Sequence, residues 1–485
     1  MMSSFSENAG QPESGDPSVA PKPERVLAVF PWVSAIVLYT LSWGWSLLRP
    51  NTIYWDDWNG YFNKPAGDAF KTVTKMGRAP WAGFVEFLLL NVGTWAVTVA
   101  TFTVFFIISL LLFGILRGLT VLKTAQIKTV ILLFLLLPVM QARVAISVFD
   151  YTSSYFLFYL GWFVLVRYKS IKSFAVACIL LFLSFKTHSF LFFVLLPFLH
   201  FCWLNKLRIL DFKKLTGTHL QVVMVASLPV FYVVVRSAFW PPIESWQDYQ
   251  QPTVAGFLTG LWPVLIGVVG LSVIGLRKLK KRHIPIGLLL VVVGFSITTL
   301  ALFPYFAGEL YVGYAGRPAI ITVFEFRADW RSRHQLLMPL GLALGVVGLN
   351  EVLKRRGKNI VISSVLVISV ALNMFWGSQY FLMSHKQEQL VELFKMMTKN
   401  EIKIASVEDR TLRFNGREST FRGYELDGFM TLAGISTDRP GCEAMPSGSA
   451  LILKSDSSYL KALATRDLDL YFEVKPCSEV LAQND

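Results

Sequence analysis

The stretch that decides the class of this chain is Val97–Leu116, "VTVATFTVFFIISLLLFGIL", which contains no charged side chain. It is long enough to cross the hydrocarbon of a bilayer as a helix. Ile284–Phe303, "IPIGLLLVVVGFSITTLALF", has the same character. A transmembrane barrel would show short alternating strands instead of continuous apolar blocks. Across 485 residues the hydrophobic share is 54%, with a mean hydropathy of +0.50. These values exclude a soluble enzyme of this length and imply a polytopic helical membrane protein.

The formal net charge of +14 would suit a nucleic-acid partner, but its placement argues against one. Basic residues gather in short links between apolar runs: Arg167, Lys169 and Lys172; Lys206, Arg208, Lys213 and Lys214; Arg277 to Arg282; Lys354, Arg355, Arg356 and Lys358. That is the positive-inside pattern, which makes these links cytoplasmic. Residues 1–25 are polar and rich in Pro, Ser and Glu, which reads as a disordered cytoplasmic N-terminus. No basic head leads directly into a cleavable apolar core there, so they do not read as a signal peptide.

With the links inside, about eleven transmembrane helices thread through residues 26–376, the third and fifth of them short. "APWAGFVEFLLLNVGTW" reads as an interfacial helix or as the start of a long tilted span. An odd count from a cytoplasmic N-terminus places residues 377–485 outside. There an amphipathic pattern (Leu390, Leu393, Phe394, Met397) precedes strand-like "IKIASVE" and "ALILKS", as in a small α/β domain. Cys442 and Cys477 fall in it, as a disulfide or as two thiols, while Cys178 and Cys202 lie in spans. No Cys/His metal spacing occurs.

Threading puts an unexpected set of polar groups on the outer side, mainly in loops near 49–96 and 303–335. "YWDDW" brings Asp56 and Asp57 between Trp55 and Trp58, and Arg78 ends the same loop. Arg143 and Asp150 lie in "QARVAISVFD", Lys186 and His188 in "SFKTHSF", and Glu244 and Asp248 in the loop after the seventh span. The late loop holds Arg317, Arg327, Arg331 and Arg333. Orientation requires few basic residues outside, so their number calls for another cause. Guanidinium groups hold phosphate through paired hydrogen bonds, a carboxylate can take a hydroxyl proton, and fixed cations stabilise a phosphate that gains charge as it leaves. The tryptophans suit either a sugar platform or an interfacial belt.

An acidic pair in the first external loop, flanked by aromatics and followed by "GR", an interfacial helix and a late arginine-rich loop, resembles the GT-C glycosyltransferases. Within that superfamily the chain is similar to bacterial enzymes that glucosylate O-antigen. The resemblance implies a polyprenyl-phosphate sugar as donor, a lipid-linked glycan as acceptor, and inversion by direct displacement without nucleotide or metal cofactor. It assigns the general base to Asp56, a shared or orienting role to Asp57, and phosphate binding to the late-loop arginines, with Arg143 and Lys186 as further candidates. It also implies a bacterial inner membrane with the active site facing the periplasm. The alternative is an O-antigen or exopolysaccharide polymerase using pyrophosphate-linked repeats, centred on Arg143 and His188. A transporter would place its charges at the bilayer midplane.

Overall fold

The computed structural model describes residues 29–55, 57–58, 69–75, 77–119, 121–205, 217–241, 254–279, 284–307, 330–353, 359–399, 404–409, 423–434, 449–453 and 472–482. The N-terminal 25 residues, Asp56, Glu244, Asp248, Arg317, Arg327 and Cys442 lie outside these.

Most of the described chain is helical. In order come α1 (Trp32–Trp43), α2 (Ala69–Lys75), α3 (Trp81–Val92), α4 (Thr94–Arg117), α5 (Thr124–Leu136), α6 (Phe149–Arg167) and α7 (Ile171–Ser184). Then follow α8 (Phe190–Phe193), α9 (Leu195–Leu204), α10 (Gly217–Phe239), α11 (Val254–Leu279), α12 (Ile286–Ala307), α13 (Met338–Leu353) and α14 (Ile360–Lys399). Every one of the eleven apolar segments contains helix. Four stretches, Thr94–Arg117, Gly217–Phe239, Ile286–Tyr305 and Ile360–His385, are long and apolar enough to cross a membrane. Several others are shorter: α5, with 13 residues, spans only about 20 Å.

The apolar "APWAGFVEFLLLNVGTW" stretch forms a helix separate from the one that follows it. α3 and α4 meet at Gly93, whose φ of 111° favours glycine and breaks the helix. The expected division at residue 376 falls inside a helix. α14 runs unbroken for 40 residues, about 60 Å, so the amphipathic pattern at Leu390–Met397 continues the last apolar helix. About half of that length exceeds the hydrocarbon thickness. Beyond it β1 (Ile404–Asp409), α15 (Gly423–Leu432), β2 (Ser449–Leu453), β3 (Phe472–Pro476) and α16 (Cys477–Leu481) follow. The sheet order is β1-β2-β3, with β1 parallel to β2 and β2 antiparallel to β3. Cys178 and Cys202 are free and buried, and Cys477 is disulfide-bonded.

α4 and α6 run in the same direction and bring their C-terminal arginines to one end. Where Gly114 of α4 admits the Phe163 ring of α6, Arg117 and Arg167 follow one turn later, and Trp162 Nε1 donates to His200 Nδ1 at 3.1 Å. α12 and α13 cross most closely through small residues, the arrangement that lets backbones approach in a membrane. A Cβ on Gly341 would sit 2.4 Å from Thr298 Oγ1 and 2.6 Å from its amide, whereas one on Gly345 would meet nothing within 4 Å. Gly341→Ala should therefore lower stability by about 1–3 kcal/mol through overpacking. Gly345→Ala should be neutral or gain up to about 1 kcal/mol from reduced chain entropy. Thermal unfolding of the purified variants in detergent checks the contrast, and equal effects would count against this crossing.

Candidate functional site

Between α5 and α6 the chain leaves helical geometry from Leu137 to Val148, with a 3₁₀ turn at Gln141–Val144 and Met140 at φ 56°. Pro138 cannot donate a backbone hydrogen bond, which favours the break. The segment is buried almost throughout, so its free backbone groups need partners from the protein. They find them far away in sequence. The amides of Ile146 and Ser147 donate to Asp57 Oδ2 and Oδ1 at 2.6 and 2.8 Å. Ala142 N donates to Ser332 Oγ at 2.7 Å and Met140 N to Gln335 Oε1 at 3.0 Å. Asn373 of α14 accepts from Gln141 Nε2 at 2.8 Å and donates to Leu136 O at 2.7 Å.

Asp57 is thus an anchor for backbone. Its residue is fully buried and both oxygens already accept hydrogen bonds. Burial raises its pKa to about 6, against the opposing pull of the Ser147 and Ile146 bonds. Neither oxygen is open to an acceptor hydroxyl, so the shared catalytic role expected of Asp57 does not fit this geometry. The flanking indoles are also committed. Trp55, at φ 49°, is buried beside Tyr54 and Tyr380, with centroids 5.8 Å away in each case. Trp58 packs against Phe429 of α15 at 4.4 Å. Neither presents an open face to a sugar, which corrects the expected stacking role.

Polar contacts also hold the loop to α14: Thr52 Oγ1 lies 2.6 Å from Ser384 Oγ, Gln387 Nε2 donates to Ile53 O at 2.8 Å, and Arg49 pairs with Glu388. α15 closes the other side. A Cβ on Gly428 would fall 2.1 Å from the Trp58 ring, so only glycine permits that approach.

Arg143 borders a small cavity with Tyr39, Trp43, Thr98 and Thr101, but its contacts are to the protein itself. It is buried, donates from Nη2 to Val139 O at 3.2 Å and from Nε to Met140 O at 3.3 Å. Its guanidinium carbon lies 3.4 Å from the Trp43 ring centroid and 4.5 Å from that of Phe105. Local carbonyls and cation–π contacts make it a strut of the 3₁₀ turn, in place of the phosphate ligand expected of it.

Arg78, Lys186 and His188 do come together. Arg78 follows α2 in a Schellman turn: Arg78 N donates to Val73 O at 3.0 Å and Gly77 N to Thr74 O at 2.9 Å, with Gly77 at φ 67°. Trp81 Nε1 donates to Leu183 O at 3.0 Å, which fixes this loop against the end of α7. Asp150, in the first turn of α6 where an acid suits the helix dipole, pairs with Arg78 and accepts from Lys186 Nζ at 2.6 Å. Lys186 also donates to Ser153 Oγ at 2.7 Å, and burial with the nearby Arg78 charge lowers it to about 7. Burial, then Arg236 and Arg78, hold His188 down at about 3. Its ring meets Tyr232 of α10 at 6.2 Å. Arg236, one turn on from Tyr232, donates from Nε to Gly77 O at 2.6 Å.

Tyr232 and Arg236 were not among the residues singled out from sequence. The available signal was an arginine at the end of an apolar span that the sequence threading places outside, where the positive-inside rule does not ask for one. Of the late loop, Arg333 is half-buried beside His334, whose ring meets Tyr305 at 4.7 Å. The backbone of Arg331 lies in the same 3₁₀ turn, Trp330–Gln335. No group of three or more metal-ligating side chains occurs among the described residues. No family model, curated protein or solved structure matches the chain.

Asp57→Asn leaves two amides facing one carbonyl oxygen and a side-chain amine. The expected cost is about 1–3 kcal/mol for the unsatisfied group, read as faster proteolysis of the first loop. The sign of its pH dependence follows from a folded-state pKa above the unfolded value near 3.8. The folded state keeps its proton longer, so this group favours folding most below about pH 4 and progressively less as pH rises to about 6. That slope should disappear in Asp57→Asn, and its persistence would assign it elsewhere.

Proposed function

We propose that this protein is a glycosyltransferase of the bacterial inner membrane. It moves one sugar from a polyprenyl-phosphate carrier to a hydroxyl of a lipid-linked or surface glycan of the O-antigen type, on the periplasmic side. The observation that carries this reading is the convergence of Arg78 and Lys186 on the single acid Asp150 at the outer end of the bundle. Orientation does not require such a surplus of cations there, and a phosphate uses it.

In this reading about eleven helices span the membrane, and the extracytoplasmic unit begins where α14 leaves the bilayer. The disulfide at Cys477 supports an oxidising compartment for that unit. The acceptor oxygen attacks the anomeric carbon of the donor and its proton passes to the carboxylate of Asp56. The bond from that carbon to the phosphate oxygen breaks, and its electron pair leaves on the polyprenyl phosphate, where fixed cations stabilise it. Asp57 holds the loop in place for this step. The internal use of Arg143 weighs against the polymerase alternative, which relied on it.

Mass analysis of surface glycan from cells with the gene, without it, and with Asp56→Asn tests the proposal. A fixed hexose mass per repeat should be present only with the wild-type gene. Collapse of long chains to single repeats in its absence would overturn the transferase reading. Asp56→Asn should reduce transfer at least ~100-fold, the range of general-base catalysis.

A further inference from the structure

We propose that Tyr232 and Arg236 of α10, with His188 and Arg78, form a cradle for the phosphate ester of a lipid alcohol. The inference rests on the transferase reading and deepens it, because it names a phosphate-binding face on a helix given no such role from sequence.

Tyr232 and Arg236 are four residues apart and so share one face of α10. That face is turned inward at its outer end, while most of the helix is exposed: only 11% of its apolar window is buried. Two contacts tie this end down, Arg236 Nε to Gly77 O at 2.6 Å and the perpendicular Trp81–Trp240 pair at 5.1 Å. The first brings the Arg236 guanidinium beside the residue that precedes Arg78.

Between these cations lie two polar atoms that the protein does not satisfy. Tyr232 is fully buried, its ring held by Phe182 at 5.4 Å and Phe185 at 5.8 Å. Its hydroxyl and His188 Nε2 are both buried without a hydrogen-bond partner. Buried polar groups are nearly always paired, and exceptions point to a missing ligand or water. Asp150 already serves Arg78 and Lys186, and among the described residues no carboxylate answers Arg236. The cluster thus has net positive charge and unused polar capacity in one place.

A phosphate matches that arrangement better than a carboxylate. Its several oxygens can accept from two guanidinium groups, a phenol and an imidazole arriving from different directions. The site sits at the outer end of an apolar helix exposed along its length, which favours an ester whose chain stays in hydrocarbon.

The test uses the full-length protein in nanodiscs of phosphatidylcholine, with binding measured for farnesyl phosphate, for inorganic phosphate, and for farnesyl phosphate in discs containing phosphatidylglycerol. Wild type should bind farnesyl phosphate, and neither free phosphate nor phosphatidylglycerol should displace it at equal concentration. Arg236→Ala should weaken binding roughly 10- to 100-fold, the loss of a charge-assisted bond. Tyr232→Phe removes one oxygen without disturbing the packing and should weaken it a few-fold. Unchanged binding in both variants, or absent binding in wild type, would overturn the cradle. Displacement by inorganic phosphate would make it a free-anion site, and displacement by phosphatidylglycerol a general headgroup site; either also overturns the claim. Sugar transfer separates the two readings. If Arg236→Ala transfers normally, the cradle fails and the transferase stands; intact binding with no transfer from any carrier removes the transferase alone.

Discussion

The structure depends on one constraint: a buried, non-helical stretch of backbone inside an apolar bundle must have its hydrogen bonds met by the protein. Leu137–Val148 is that stretch, and its partners come from the loop after α1 (Asp57), the 3₁₀ turn before α13 (Ser332, Gln335) and the last long helix (Tyr380, whose hydroxyl donates to Gln141 O at 3.4 Å). Each partner is more than eighty residues away. Satisfying one short segment therefore draws three remote regions to the same end of the molecule. The segment leads directly into α6, so the same bonds fix where Asp150 sits and where Arg78 and Lys186 meet it.

Two kinds of polar residue result. Asp57 and Arg143 are spent on architecture: one binds amides, the other its own carbonyls and two aromatic rings. Arg78 and Lys186 instead meet at Asp150, with His188 beside Tyr232 and Arg236 bonded to Gly77 O. A static inventory of outer-face charges cannot make that separation, because the two groups look alike by residue type and by topology. Burial and hydrogen-bond geometry distinguish them.

Much of the fold was legible because hydrophobic length and charge placement are strong, local signals. All eleven apolar segments contain helix, the separate helix before Thr94 appeared where the "APWAGF" stretch suggested it, and the outer residues Arg78, Lys186 and His188 met. What could not be read depends on partners distant in sequence. Nothing local marks Asp57 as an amide acceptor for Ile146 and Ser147, or Trp58 as buried under Phe429. That residue 376 falls inside a helix has a different reason. α14 changes from apolar to amphipathic without a helix-breaking residue, so composition shifts while the helix continues. Nothing local marks Arg236 either, since a lone arginine at the end of an apolar run also reads as an anchor at the membrane surface.

Hydrogen exchange of the peptide covering residues 138–147, in the full-length protein in nanodiscs, tests the central constraint most directly. The account predicts that the amides of Met140, Ala142, Ile146 and Ser147 are protected to a degree comparable with the flanking helices. It also predicts that Asp57→Ala selectively releases Ile146 and Ser147. Exchange at the rate of an open loop in wild type, or release of none of these amides on removing Asp57, would contradict it.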